Sequence, residues 1–215
     1  MKKSGLIFFL ALILAAYGLP LHAADLNRSE TAAAYYKSYD HERRQNYEAA
    51  IKDLSAVYGA NPNDYLVNYR MGWLYYLDRN YSEAIKHLKI ALAVSPESIE
   101  VMNTIIPVYS AQADWPKVEA QSMAVLKIDF YNLTANYWYS HSLRMEKKYG
   151  PAIKVDRKML TVYPTSATFL QQLGENLFLD NKKEESLSVF RKLKLLWPSN
   201  TVADQYLNKS AAGGP

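Results

Sequence analysis

The sequence of 215 residues contains no cysteine, which excludes disulfides, thiolate metal sites, iron–sulfur clusters and cysteine nucleophiles. Glycine is scarce, with 8 residues, so the composition is neither collagenous nor that of a disordered chain. Lys and Arg number 25 against 21 Asp and Glu, and no block of like charge offers an arm for nucleic acid. The abundant residues are aromatic, with 18 Tyr and 4 Trp, which indicates a globular, aromatic-rich protein.

The usual signatures of catalysis are also missing. The strings GxGxxG, GxxxxGK[ST], GxSxG and HExxH do not occur. The histidines beyond residue 23 are His41, His87 and His141, and none has a second histidine one helical turn away. We therefore expect no catalytic residue, no metal site and no cofactor. We expect His41 to be a hydrogen-bonded core residue and His87 to lie on a polar helix face.

The first residues have the layout of a secretory signal. Two lysines precede an apolar stretch from Leu6 to Tyr17, and small residues follow around Ala23. The strictly apolar part is about a dozen residues long, shorter than the ~20 that a membrane-spanning helix needs. We predict that residues 1–23 are a cleaved signal peptide and that the mature chain is periplasmic or secreted, with no integral membrane segment. The alternative is an uncleaved anchor in the inner membrane.

Prolines recur at a fixed spacing along the rest of the chain. Pro62, Pro96, Pro164 and Pro198 are separated by 34, 68 and 34 residues, which indicates an internal repeat. The repeat divides the chain into the blocks 31–64, 65–98, 99–132, 133–166 and 167–200. The twentieth residue of each block is small, as a close helix–helix crossing requires; these residues are Ala50, Ala84, Val118, Ala152 and Ser186.

Each block has the pattern of two helices joined by a polar turn. In the second block, apolar residues recur at helical spacing on either side of the polar segment 78–80. A single hairpin of this kind exposes apolar stripes on both sides, and only stacking against neighbouring hairpins buries them. The sequence therefore predicts five stacked helical hairpins.

These blocks resemble tetratricopeptide repeats, whose 34-residue pattern has Gly and Tyr in the first helix, then Ala, then Pro. The second block carries the pattern most fully, with Gly72, Tyr75, Tyr81, Ala84, Leu88, Ala91 and Pro96. The third block departs most, because Ile106 and Phe130 replace the small residue and the proline. The resemblance implies an all-α fold, a right-handed α-α superhelix or solenoid, across residues 31–200. Residues 24–30 would lead into it, and residues 201–215 would form a capping helix and a tail.

The resemblance also indicates where a partner would bind, because the first helices of such repeats line a concave groove. In this sequence the residues beside the packing stripe of those helices are mostly aromatic. The candidate partner-binding residues are Tyr35, Tyr39, Tyr69, Arg70, Trp73, Tyr76, Asn103, Tyr137, Trp138, His141 and Arg144. Trp73 and Tyr137 are the strongest of these, since Trp and Tyr dominate binding hot spots. The competing interpretation is that several tyrosines only pack against the neighbouring hairpin.

Two residues depart from the repeat pattern. Pro107 falls inside a helical run, where it removes one backbone hydrogen bond and leaves the carbonyl of Asn103 without an N–H partner. This predicts a bent helix, or alternatively a carbonyl that serves a ligand in the groove. Asp156 occupies a column that holds Leu54, Leu88 and Phe190 in three of the other blocks, so its carboxylate must be hydrated or paired with another residue.

Three functions fit these features. The first is a non-catalytic protein–protein interaction scaffold of the bacterial periplasm, which binds a peptide or protein segment in the aromatic groove. The second is a saccharide-binding envelope module, since aromatic faces stack on sugar rings and an envelope polysaccharide would then be the partner. The third is an assembly factor for a secretion or pilus machine, which no residue separates from the first. We expect no nucleic-acid partner.

Overall fold

The computed structural model describes residues 26–211, and every regular element within them is a helix. The signal peptide predicted for residues 1–23 lies outside the described residues, as do residues 212–215. The helices are α1 (Arg28–Arg43), α2 (Tyr47–Asp53), α3 (Ser55–Ala60), α4 (Tyr65–Leu77), α5 (Tyr81–Val94), α6 (Ile99–Ala111), α7 (Trp115–Ile128), α8 (Leu133–Met145), α9 (Tyr149–Val162), α10 (Ala167–Leu179), α11 (Lys183–Leu196) and α12 (Thr201–Ala211).

The helices form stacked hairpins. Each helix from α4 onwards packs against its neighbours in sequence, and the first helices also contact one another in the order α4, α6, α8, α10. At the end of the array α12 packs on α11 and buries Ala203 in a cluster with Leu170 and Phe190. The prediction of an all-α solenoid with a final capping helix is confirmed.

The small-residue column explains how closely the two helices of a hairpin approach. Ala50, Ala84, Val118, Ala152 and Ser186 are all completely buried. A Cβ added to Gly72 on α4 would lie 2.6 Å from Cγ of Leu88 on α5, closer than carbon atoms can approach. Gly174 has the same relation to Phe190, with a ring carbon at 2.7 Å. Larger side chains would clash at these helix crossings, and that is why small residues recur there.

The turn inside each hairpin also repeats. Its residue with a left-handed backbone recurs every 34 positions, at Gln45, Arg79, Ala113, Lys147 and Asn181, with φ between 55° and 62°. Side chains just before the helices accept backbone hydrogen bonds, as Asp64 does from Val67 and Ser98 does from Val101. The left-handed turn residue and the capping side chains fix the angle at which one helix follows the other. The first helices of successive hairpins therefore lie side by side.

The first hairpin differs from the others. Its first helix, α1, begins at Arg28, inside the segment 24–30 that was expected only to lead into the repeats. Asn27 and Glu30 form a reciprocal capping box there. The second arm is interrupted at Leu54, which separates α2 from α3. In the third hairpin, α6 is helical from Ile99 to Ala111, and Pro107 lies within it without interrupting the helix.

The prediction that His87 lies on a polar helix face is wrong. Its side chain is buried, with the ring 5.3 Å from a stacked Tyr75 and 5.1 Å from the edge of Tyr58. Nδ1 lies 2.8 Å from Oδ1 of Asn68. Both protons of the Asn68 amide are donated to backbone carbonyls, so its oxygen accepts and Nδ1 of His87 donates. Burial lowers the pKa of His87, which keeps the imidazole neutral.

His41 agrees better with expectation. Its Nδ1 lies 2.7 Å from Oδ2 of Asp53, which ties α1 to α2, and about a third of the side chain is exposed. Within residues 26–211 no group of three potential ligands could hold a metal ion. None of the helices in that range combines the length and the apolar character that crossing a membrane would require.

Candidate binding groove

The first helices of three successive hairpins line an open cavity of about 430 Å³, which we call the N-terminal groove. The helices are α1, α4 and α6. Side chains from all three reach the cavity; they are Tyr39, Glu42, Tyr65, Leu66, Tyr69, Arg70, Trp73, Glu100 and Thr104. Four predicted site residues therefore meet here, namely Tyr39, Tyr69, Arg70 and Trp73. The lining contains four aromatic rings, one aliphatic side chain, two carboxylates and one guanidinium.

Arg70 is oriented inward and does not present its charge to the groove. Its side chain is buried and forms an ion pair with Glu42 of α1. A second nitrogen lies 3.3 Å from the hydroxyl of Ser38, and the guanidinium stacks 3.9 Å from the centre of the Tyr39 ring. In this arrangement Arg70 anchors α4 on α1 and holds Tyr39 and Glu42 in place.

Trp73 contributes both to packing and to the surface. It follows the close-packed Gly72, and its indole is half-buried at the wall of the groove. The ring nitrogen donates to Oε1 of Glu42 at 2.7 Å, and the ring centre lies 5.6 Å from that of Tyr76. Both oxygens of Glu42 are thus used, one by Trp73 and one by Arg70.

Tyr65, Tyr69 and Glu100 also line the groove and interact with one another. The two tyrosine rings are nearly parallel, with centres 6.3 Å apart. The Tyr65 hydroxyl lies 2.9 Å from the Ser98 hydroxyl and donates to Oε2 of Glu100 at 3.4 Å. Burial raises the pKa of Tyr69, and the nearby Glu100 carboxylate adds to that shift. Glu100 is exposed, and no salt bridge to it occurs among residues 26–211.

A second cavity, of about 350 Å³, lies between α8 and α10, and we call it the C-terminal cleft. It is lined by Leu133, Thr134, Tyr137, Trp138, Ser166, Thr168 and Phe169. Two predicted residues, Tyr137 and Trp138, meet there, with ring centres 5.1 Å apart in an edge-on arrangement. The cleft has rings and hydroxyl groups at its surface and no charged side chain in its lining.

His141 and Arg144 lie behind this cleft and interact with each other. The His141 ring stacks on Tyr137 with centres 6.1 Å apart. Burial, reinforced by the charge of Arg144, lowers the pKa of His141 to about 4. The neutral imidazole can accept a hydrogen bond, and a guanidinium nitrogen of Arg144 lies 2.8 Å from its Nδ1. Arg144 also pairs with Glu175 of α10, so its charge, like that of Arg70, is balanced internally.

Three other predicted residues lie outside both cavities. Tyr35 packs against the core of the first hairpin, where burial raises its pKa to about 12. Tyr76 packs against the core formed by α5 and α6. Asn103 is half-buried, and its Oδ1 has no hydrogen-bond partner among residues 26–211. For Tyr35 and Tyr76, packing against neighbours is the role that their contacts support.

Sequence reasoning missed Glu42, Tyr65, Leu66 and Glu100, which line the groove. A usable signal was the repeat length itself. Residues on successive first helices face each other when they are about one repeat apart, as do Tyr65 with Glu100 and Tyr69 with Thr104, each 35 residues apart. Reading the sequence in pairs at this offset would have placed Glu100 beside Tyr65, and Thr104 beside the predicted Tyr69.

No protein-family model matches the chain, and no curated protein sequence matches it either. Solved structures do resemble it. A tetratricopeptide repeat protein from Parabacteroides merdae has a TM-score of 0.75 at 18% identity, over 83% of this chain and 71% of that one. MamA residues 41 to the end from Desulfovibrio magneticus give 0.72 at 18%, over 80% and 97%. YrrB, described as a TPR protein with an unusual peptide-binding site, gives 0.67 at 14%, over 83% and 92%.

These similarities concern the fold, because the identities are low. They agree with the 34-residue columns and with the buried small residues at the crossings. The chain has the fold of tetratricopeptide-repeat proteins.

Proposed function

We propose that the chain is a non-catalytic protein–protein interaction scaffold that binds an extended segment of a partner in the N-terminal groove. The observation that carries this is the convergence of Tyr39, Tyr65, Tyr69 and Trp73 on one open cavity, beside an exposed Leu66. Aromatic side chains in a concave site are typical anchors for a partner. The fold likeness to YrrB, a protein described by its peptide-binding site, supports the proposal.

The dimensions of the groove favour an extended peptide. The lining comes from α1, α4 and α6, and packed helices lie about 8–10 Å apart. The groove therefore runs for roughly 20 Å across three helices, which an extended chain covers with about six residues at ~3.3 Å each. A peptide of that length could place two or three alternate side chains against the rings.

A neutral saccharide is the second candidate ligand, and the C-terminal cleft is the feature that favours it. Its lining combines the rings of Tyr137, Trp138 and Phe169 with the hydroxyl groups of Thr134, Ser166 and Thr168. Rings beside hydroxyl groups can stack on a sugar and hydrogen-bond it without any charge. Binding of envelope glycans that Trp138→Ala abolishes would support this candidate.

Leu66→Ala is expected to weaken binding of a selected peptide by roughly 30-fold while leaving folding unchanged. Leu66 is 53% exposed at the groove, and removing about three carbon groups from a ligand contact costs on the order of 2 kcal/mol. Peptides of about ten residues would be selected from a random library on the purified protein, and affinities measured by fluorescence anisotropy. The matched control is Leu195→Ala, on α11 and 84% exposed, which should not change affinity. Equal affinities for both variants would contradict the groove assignment.

We further propose that the scaffold works in the periplasm after removal of residues 1–23. A fusion of residues 1–30 to a reporter that is active only after export should be active and should be trimmed after Ala23, because the segment has the layout of a secretory signal. Mass spectrometry of the fusion checks the cleavage point. Leu12→Arg, which interrupts the apolar stretch, should abolish export. An active, membrane-bound fusion that retains Met1 would favour the anchored alternative.

A further inference from the structure

We infer that the N-terminal groove selects peptides carrying a Lys or Arg side chain, which rests on the rings of Tyr65 and Tyr69 and faces the carboxylate of Glu100. This inference depends on the proposed peptide-binding function and adds the chemistry of the ligand to it.

Three charged side chains line the groove, namely Glu42, Arg70 and Glu100. Glu42 and Arg70 form an ion pair with each other, and the second oxygen of Glu42 accepts the Trp73 N–H. Their charges therefore cancel within the wall. Among residues 26–211, Glu100 forms no salt bridge and interacts with the neutral hydroxyl groups of Tyr65 and Tyr69, so the groove retains one negative charge for a ligand to meet.

The rings next to this carboxylate favour the same kind of ligand. The face of an aromatic ring attracts cations through its quadrupole. Tyr65 and Tyr69 lie parallel with their hydroxyl ends beside Glu100 and Thr104. A guanidinium already stacks on a groove ring within the protein, since Arg70 lies 3.9 Å from the centre of Tyr39. A ligand cation at Tyr65 and Tyr69 would combine such a contact with an ion pair to Glu100.

The same arrangement disfavours acidic ligands. A carboxylate in the groove would approach Glu100, and like charges in close proximity repel. The only cation in the lining is Arg70, which is buried and engaged by Glu42, Ser38 and Tyr39. A peptide carboxylate would have to break that ion pair and leave Glu42 uncompensated. The expected order of affinity is therefore basic, then neutral, then acidic.

The test selects peptides from a random library on the purified protein and then measures affinities for one selected peptide and its Lys→Gln or Arg→Gln derivative. Enrichment of Lys and Arg over the starting library is expected. Glu100→Gln should lower affinity for the basic peptide about five- to tenfold, an effect that shrinks at high salt, and should hardly change affinity for the Gln derivative. The matched control is Glu97→Gln, an exposed acid in the loop before α6 and outside the groove lining, which removes the same charge.

Each result decides a separate point. Selected peptides without excess Lys or Arg would overturn the inference and leave the scaffold function in place. So would equal losses with Glu100→Gln and Glu97→Gln, because the effect would then be one of net charge alone. If no peptide is enriched over selection without protein, the proposed function fails and the inference fails with it. Circular dichroism of both variants should match the parent, since both sites are exposed.

Discussion

Ala84→Arg is expected to unfold the protein under conditions in which the parent is folded. Ala84 is completely buried in the small-residue column, in a cluster with Leu88, Val101 and Ile105. Forcing a larger side chain into a packed core costs about 1–3 kcal/mol, and an unpaired buried charge adds about 3–5 kcal/mol. Their sum is comparable to the whole stability of a typical domain, about 5–15 kcal/mol.

The measurement is a circular-dichroism melt together with a urea titration. Ala93→Arg is the matched control, because Ala93 lies on the same helix, α5, and is exposed. That change should alter the free energy of unfolding by no more than about 0.5 kcal/mol. A melt of Ala84→Arg that coincides with the parent would contradict the close helix crossing on which the stacked hairpins depend.

The second large effect is a loss of stability with rising pH that depends on Asp156. This residue is completely buried on α9, and its Oδ2 accepts a 2.7 Å hydrogen bond from the amide of Asn176. Oδ1 has no hydrogen-bond partner among the described residues. Burial raises the pKa of Asp156 to about 7, against the opposing influence of hydrogen bonds from Ser140 and Asn176. The charge of Arg144 also lowers the pKa, and that of Glu175 raises it.

The direction of this pH dependence follows from the difference in proton binding between the folded and the unfolded protein. The unfolded chain releases the Asp156 proton near 3.8, whereas the folded protein keeps it until about pH 7. Between these two pH values the folded state binds more protons than the unfolded state. The stabilisation that comes from protonated Asp156 is therefore complete below about pH 4 and is lost as pH rises to about 7. The loss is on the order of 4 kcal/mol. The lowered pKa of His141 acts in the opposite direction over much of the same range, so the Asp156 contribution is measured as the difference in urea unfolding between the parent and a variant at position 156.

Asp156→Asn should remove this part of the pH dependence, because an amide of the same shape stays neutral. The difference in unfolding free energy between parent and variant should change with pH only between about pH 4 and pH 7. Asp78→Asn is the matched control, since Asp78 is exposed at the turn after α4, and its profile should follow the parent. Parallel profiles for the parent and Asp156→Asn would show that Asp156 is already ionised in the folded protein.

The sequence predicted those features that repeat, because a constraint that recurs every 34 residues leaves a recurring residue. The column from Ala50 to Ser186 is small in every block and buried in every hairpin. Gly72 was expected at a close approach, and the neighbouring Leu88 leaves no room for a side chain there. The left-handed residue in each turn repeats as well, but its residue type changes from Gln to Arg, Ala, Lys and Asn, so its backbone conformation left no pattern in the sequence.

Residues whose surroundings are formed by other helices were predicted wrongly from the sequence, and His87 is the example. His87 lies on a helix where its neighbours Lys86 and Lys89 are exposed, which made a polar face the natural interpretation. It is buried because Tyr58, Asn68 and Tyr75 from α3 and α4 surround it. No local periodicity encodes a hydrogen bond to a residue 19 positions away.

By itself, the sequence determined that the chain consists of stacked helical hairpins, and that aromatic side chains lie along their first helices. Both follow from periodicity, which is a property of one helix and its nearest neighbours. Tertiary structure alone decided which of those residues share a cavity and which charges remain available in it. Arg70 was predicted to face a partner, yet Glu42, 28 residues away, neutralises it, while Glu100 joins the groove from the next hairpin. Charge balance in a groove depends on distances between helices, and those are set only when the hairpins stack.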